Sequence, residues 1–316
     1  MIQVELQGLT ELNDIMADGR KRPWREHKMS NELLSLAYDN INPKKAERLR
    51  ECATFLSYKK TENGMRLDRA NFCRVRLCPV CQWRRSLKVF GQTCKVLDAY
   101  ESKGKHAYAM LTLTLKNCEA DELKACIDGM TKAWDRMTRT AKWKRVVLGW
   151  YRGTEVTHNL DANTYHPHFH VLLAFRKSYF TSRYYMKHEE WRDMWKHALR
   201  IDYDPIVSIE KCYGSNAAAI AEVTKYSTKP DDFLIPDDWD LTEESVRVLD
   251  AALDRRRFVA FGGELAKIRQ ELALEDPEQG DLVHVEDDAS AAASGAVFTY
   301  FWYSGYRQYY GGMEQV

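Results

Sequence analysis

Two stretches that read as strands, Val146–Thr157 and His168–Phe175, flank the turn-forming run Asn159-Leu160-Asp161-Ala162-Asn163. Alternation at period two describes a strand with one buried face, and a turn of this composition folds the second strand back on the first. An antiparallel pair is therefore expected at the centre of the chain. His106–Leu115 also reads as a strand, with Met110, Thr112 and Thr114 opposite Leu111, Leu113 and Leu115. Between them, Leu123, Ile127, Met130, Trp134 and Met137 recur at helical spacing, which predicts a helix over Asp121–Lys144. Further along, Ser182–Arg200 is expected as a helix and Pro205–Lys211 as a short strand. A third helix, capped by Ser215 or Asn216, should run to Lys229, where Pro230 stops it. This order of elements is best satisfied by a largely antiparallel sheet with helices packed on it, an α+β fold.

The flanks differ in character. Residues 1–45 form a polar N-terminal segment with a short helix expected near Glu32–Ala37. Residues 46–100 hold the clustered cysteines. Residues 101–230 hold the sheet, and residues 231–316 an acidic, mainly helical region (near Thr242–Leu274), a small-residue linker at Ala289–Ala296 and an aromatic tail at Phe298–Tyr310. The net charge of +1 conceals an asymmetry: lysine and arginine exceed acids by ten over Ile41–Lys105, and acids exceed bases by twelve over Asp231–Asp288. A basic front region suits a polyanionic partner. No membrane-spanning run or secretory signal is evident, so a cytoplasmic protein is expected.

His168 and His170 lie two apart on a strand and so project from one face, while Phe169 and Val171 point the other way. Two imidazoles make half of a metal site. The hairpin brings Glu155 alongside as a third ligand, leaving positions open for water and a phosphate oxygen. Mn²⁺ or Mg²⁺ suits that donor set. His166 shares the parity and is a further ligand or a supporting donor.

On the third helix, Glu222 and Tyr226 stack at i, i+4, as do Lys225 and Lys229. A phenol is a weak nucleophile near neutral pH. Attack on a phosphodiester needs a metal to polarise the phosphate and a cation near the developing charge, for which Lys225 or Lys229 is available. Glu222 can serve as a general base in a later step.

Cys73, Cys78 and Cys81 form a Cys-x₄-Cys-Pro-x-Cys run, and Cys52 upstream can complete a four-cysteine, structural Zn²⁺ site, with Cys94 as an alternate ligand. Clustered cysteines without an export signal read as metal ligands rather than disulfides. Arg74, Arg76, Arg84, Arg85 and Lys88 surround the knuckle with Trp83 among them, a set suited to phosphates and unpaired bases.

These stretches resemble the plasmid rolling-circle replication initiators of the single-tyrosine HUH endonuclease superfamily. The likeness is carried by Leu111-Thr112-Leu113-Thr114, by His166-Pro167-His168-Phe169-His170-Val171-Leu172-Leu173, by Glu222-x-x-Lys225-Tyr226-x-x-Lys229, and by the stretch from Asn71 through Arg85. It covers roughly Cys52–Pro230. The resemblance implies an HUH-type nicking domain that binds origin DNA and cuts one strand in an extruded or single-stranded segment. Tyr226 would become linked to the 5′-phosphate, and the free 3′-hydroxyl would prime a host polymerase, with a host helicase as partner. Glu222 would direct hydrolysis or strand transfer at termination. A transposase or relaxase of the same superfamily would share this chemistry. A non-enzymatic, zinc-dependent DNA-binding regulator would explain the cysteines and the basic charge alone.

Overall fold

The computed structural model describes residues 8–16, 19–61, 64–213, 220, 229–285 and 293–313. The chain divides into two compact units. The first comprises residues 1–88, 234–246 and 281–316; the second comprises residues 89–233 and 247–280. The acidic C-terminal stretch is thus shared between them. Among the described residues no helix is long and apolar enough to cross a membrane.

The first unit is built on strands β1 (Thr10–Glu11), β2 (Phe55–Thr61), β3 (Gly64–Ala70), β9 (Ala293–Tyr303) and β10 (Gln308–Met313), in the order β1-β10-β9-β2-β3. All its pairings are antiparallel. The residues expected as an aromatic tail are therefore a hairpin whose β9 pairs with β2. Helix α1 runs over Trp24–Asp39, much longer than the segment expected near Glu32. Its buried stripe includes Lys28 and Asn31, polar residues that mask the apolar period. Both are used. Lys28 Nζ donates to the Arg50 and Cys52 carbonyls at 2.7 and 2.8 Å, and Asn31 Nδ2 donates to the Leu49 carbonyl at 2.6 Å. These carbonyls end helix α2 (Pro43–Glu51), where main-chain acceptors lack helical partners and a cation is favoured. The start of α2 is secured by Asn42, whose side chain accepts from the Lys45 N–H, and by Pro43 in the first turn.

The second unit carries β4 (His106–Thr114), β5 (Val147–Asn159), β6 (Thr164–Arg176), β7 (Val207–Lys211) and β8 (Val259–Gly262), in the order β7-β4-β6-β5-β8 and antiparallel throughout. The expected hairpin is present as β5–β6. Phe169, Val171 and Leu173 face one core with Leu111, Leu113, Trp134, Trp143, Trp191 and Trp195. These tryptophans come from α4 (Leu123–Thr138), α5 (Ala141–Val146) and α6 (His188–Leu199). Leu172 and Ala174 face a second core with Val96, Leu97 and Tyr100 of α3 (Pro79–Ser102).

Three expected helices are revised. Asp121–Lys144 is broken because Thr140 accepts from the Trp143 N–H and caps α5 anew. Ser182–Arg200 begins only at His188. Thr242–Leu274 contains α7 (Trp239–Leu253) and α8 (Gly263–Glu271), separated by β8, which lengthens the sheet beside β5. The third expected helix, with Glu222, Lys225 and Tyr226, lies outside the described residues apart from Ile220, which is buried in the second core, and Lys229.

The β8–α8 junction depends on glycine. Gly263 has φ +60°, and a Cβ there would stand 2.2 Å from the Leu148 carbonyl oxygen. Left-handed backbone costs an L-residue about 1–2 kcal/mol before any clash. Gly263→Ala should therefore lower the thermal unfolding midpoint by several degrees. Gly305→Ala, where a Cβ meets nothing within 4 Å, should leave it nearly unchanged. Equal midpoints for the two variants would refute this account.

Candidate metal centres and nucleic-acid interface

The β5–β6 register sets Glu155 directly across from His168, and Gly153 across from His170. Because successive strand residues alternate faces, both imidazoles and the carboxylate meet on one side of the sheet. His168 Nε2 is 3.2 Å and His170 Nε2 is 2.9 Å from the same Glu155 oxygen. Ligand atoms from the three residues lie within 4.8 Å of one another, as a single cation requires. Octahedral Mg²⁺ with bonds near 2.1 Å separates adjacent ligands by about 2.9–3.0 Å, so these contacts fit a hard divalent ion.

The surroundings orient the imidazoles. His168 Nδ1 is 3.1 Å from the His166 carbonyl oxygen. It donates there, which leaves the Nε2 lone pair for a metal. His170 Nδ1 lies 3.4 Å from Thr112 Oγ1, supplied by β4 through its Thr112–His170 pairing. Burial alone would raise the Glu155 carboxyl. Hydrogen bonds and charge from His168 and His170 outweigh burial and hold it well below the usual carboxylate range. His166 stacks obliquely 5.3 Å from the His168 ring but is not one of the three clustered ligands. Burial, and then the charge of His168, lower its basicity.

Two neighbours had no role assigned from the sequence. Thr112 was legible only as part of the Leu111-Thr112-Leu113-Thr114 stretch, and the β4–β6 register sets it beside His170. Asp232 follows Lys229 and Pro230. Burial pushes its carboxyl above the ordinary value, the hydrogen bond from the Lys229 N–H (2.8 Å) opposes the rise, and the Glu155 charge adds to it. Its carbonyl oxygen is 3.1 Å from His158 Nδ1, which ties the segment after the tyrosine motif to β5. Lys229 itself is exposed.

The second cluster lies in the first unit. Cys52, Cys73, Cys78 and Cys81 converge, with Sγ–Sγ separations of 3.6 Å (Cys52–Cys81), 3.7 Å (Cys73–Cys81) and 3.6 Å (Cys52–Cys78). A disulfide would close to about 2.05 Å. A tetrahedral Zn²⁺ with bonds near 2.3 Å separates its sulfurs by about 3.8 Å, close to what is seen. The Arg74 N–H donates to Cys81 Sγ at 3.2 Å, and the Cys73 N–H to Cys52 Sγ at 3.4 Å, the main-chain support a thiolate set needs. Cys94 is not in the cluster.

Burial raises the Cys78 thiol, an effect reinforced by its sulfur neighbours. At Cys81 burial also raises the thiol, but hydrogen bonds from the other three cysteines and the Arg85 charge bring it well below its usual value. Lys28, its basicity lowered by burial and partly restored by Cys52, is a second cation beside the sulfurs. Four thiolates around a Zn²⁺ would carry a net charge of −2, which Lys28 and Arg85 would offset.

The basic residues around the knuckle do not all face outward. Cys81, Arg84 and Lys88 share one stripe of α3 at i, i+3, i+7, and that stripe is buried. Arg84 Nε and Nη2 donate to the Leu282 and Val283 carbonyls at 2.9 and 2.7 Å, and Lys88 Nζ donates to the Asp281 carbonyl at 2.7 Å. Trp83 is buried edge-on against Trp24. The expected DNA contact by Trp83, Arg84 and Lys88 is therefore corrected: they hold the unit together. Arg74 is exposed and Arg76 half-buried. Arg85, also half-buried, donates to the Arg74 carbonyl at 3.2 Å.

A family model described as "Replication protein" (Rep) matches residues 64–310. A "Protein rep" from Bacillus amyloliquefaciens is 37% identical over 331 residues, covering 94% of this chain and 96% of that protein. One from Streptococcus pneumoniae serotype 2 (strain D39 / NCTC 7466) is 35% identical, covering 92% of each. A further "Protein rep", from Staphylococcus aureus, is 33% identical over 67% of this chain and 94% of its own length. No solved structure matches.

Proposed function

Since the chain belongs to the Rep family of replication proteins, we propose that it initiates plasmid replication by the rolling circle, nicking one strand of origin DNA and staying covalently joined to it. The observation that carries this reading is the convergence of Glu155, His168 and His170 on one sheet face. That donor set fits Mn²⁺ or Mg²⁺, which when bound would supply Lewis-acid polarisation of the scissile phosphate.

The chain's own residues supply the rest. The Tyr226 phenol attacks phosphorus and gives up its proton. A bond forms between its oxygen and phosphorus, the bond to the 3′-oxygen breaks, and the leaving oxygen takes a proton to become a free 3′-hydroxyl. Lys225 or Lys229 offsets negative charge on the phosphate or on the departing phenol proton's oxygen. His168 and His170 are held with Nε2 forward by the His166 carbonyl and Thr112. At termination Glu222 accepts a proton from water or from an incoming hydroxyl, which displaces the phenol. The four-cysteine cluster fits a structural Zn²⁺ that would fasten the loop carrying Arg74 and Arg76, which would meet phosphates. The free 3′-hydroxyl would serve a host polymerase, with a host helicase opening the duplex.

Incubation of the full chain with labelled single-stranded origin DNA and Mn²⁺ should give a covalent adduct that maps to Tyr226. Tyr226→Phe should abolish it, since phenylalanine has no oxygen to bond phosphorus. An adduct of undiminished yield in Tyr226→Phe would remove Tyr226 from the mechanism. Duplex cleavage without any adduct would remove the covalent mechanism itself.

A further inference from the structure

One face of the first unit's sheet has no part in the metal centres, and its composition is unusual for a solvent-facing surface. Partners in an antiparallel ladder point to the same side. The register Phe55–Phe301–Tyr310 therefore lines three aromatic side chains across β2, β9 and β10. The Phe55 and Phe301 ring centroids are 5.7 Å apart, and Phe301 is 49% exposed. Tyr303 lies diagonally, 5.9 Å from Tyr310, and Tyr306 of the connecting turn is 6.0 Å from Tyr310 and 49% exposed.

The next row on this face is small and polar: Arg69, Ser57, Thr299 and Gly312 in register. Ser57 and Thr299 are themselves buried, whereas a Cβ at Gly312 would meet nothing within 4 Å, so the row is open at its β10 end. Beyond it come Lys59 and its partner Arg66. The Arg69 guanidinium lies over the Phe55 ring at 5.8 Å. The acids nearby are Asp68, bridged to Lys59 at 2.7 Å and to Arg69 at 3.8 Å, and Glu11, bridged to Lys21 at 3.7 Å. Among the described residues, Lys59, Arg66, Arg69 and Lys21 stand against these two acids, so the polar border of the aromatic row carries more cations than acids.

We propose that this face is a stacking platform for the unpaired bases of single-stranded DNA, with Phe55, Phe301 and Tyr310 taking bases and Lys59, Arg66 and Arg69 meeting the phosphates. Rings carried on adjacent strands match the repeat of a splayed single strand better than that of a duplex, whose base faces are covered. Every base offers a π-face, so the platform reads strandedness rather than sequence. A single strand is also what a nicking initiator generates. The inference rests on DNA being the partner, and the test separates the two.

Full-length protein is titrated against a fluorescein-labelled oligothymidine lacking any origin sequence, and against a duplex of the same length. The wild type should bind the single strand more tightly. Phe301→Ala and the double variant Phe301→Ala/Tyr310→Ala should each weaken that binding, by about tenfold for one ring and more for two. Phe301→Tyr, which keeps a ring, should bind like the wild type. Duplex binding and adduct formation on saturating origin oligonucleotide should persist in all three. Unchanged single-strand affinity in Phe301→Ala, whose side chain is half exposed, would overturn the platform while leaving the nicking reading intact. So would a wild-type dimer that Phe301→Ala dissociates, because a second copy would then occupy the face. A wild type that binds neither oligonucleotide would overturn the DNA reading as well.

Discussion

Alanine at both His168 and His170 should reduce nicking of a single-stranded origin oligonucleotide by about a thousandfold or more. Among the described residues the two imidazoles are two of three clustered donors, and their loss leaves the Glu155 carboxylate of that set to hold a divalent ion. Metal polarisation of a phosphoryl oxygen is worth several kcal/mol, and each 1.36 kcal/mol is tenfold in rate. A second effect acts in the same direction. Glu155 stays ionised against burial because the histidines hydrogen-bond to it. Without them burial prevails, its carboxyl rises toward the protonated state, and the last ligand weakens. The sign for stability follows. A depressed carboxylate stabilises the fold above its unfolded pKa, and that contribution is lost as pH falls through the folded value. The double variant should therefore show a weaker acid dependence of unfolding as well as lost cleavage. Calorimetric titration with Mn²⁺ and a single-turnover nicking assay check both halves. Undiminished cleavage in the double variant would end the assignment.

Serine at Cys78 and Cys81 should remove about one zinc per chain and unfold the first unit. A structural zinc site contributes on the order of 10 kcal/mol of apparent binding free energy, comparable with the whole stability of a domain. The cluster joins the end of α2 (Cys52), the segment after β3 (Cys73) and the start of α3 (Cys78 and Cys81), so its loss releases three segments at once. Removing two thiolates also takes counter-charge from buried Lys28 and half-buried Arg85. Metal analysis together with far-ultraviolet circular dichroism measures the effect. Acid should mimic it, because the raised thiol of Cys78 must lose a proton to bind metal. Full zinc content in the double variant would place the metal elsewhere.

The Glu155, His168 and His170 cluster was legible in the sequence because its logic is local. Parity along β6 places His168 and His170 on one face, and a five-residue turn is enough to bring Glu155 across. The same parity, carried to β4, would also have found Thr112. What stayed hidden depended on partners distant in sequence. Phe298–Tyr310 has the composition of a strand, but nothing near it announces that β9 pairs with β2, more than two hundred residues earlier. Arg84 and Lys88 looked like surface cations because their carbonyl partners, at Asp281–Val283, lie far along the chain. Lys28 and Asn31 obscured α1 for the same reason: they are buried polar groups serving α2. The break at Thr140 was hidden differently, since apolar spacing continues across it while a hydroxyl cap restarts the helix.

The seating of β9 between β10 and β2 has a consequence for synthesis on the ribosome. The four cysteines, β2 and β3 emerge within the first third of the chain, whereas β9 and β10 emerge last. Until then β2 presents an unpaired edge, the type of edge that recruits other nascent chains. Early zinc capture would hold α2, β3 and α3 near their final arrangement during that wait. A chain released before Phe298 would keep its metal ligands and its His168–His170 strand yet carry a permanently open sheet. Its expected fate is aggregation or proteolysis rather than partial activity.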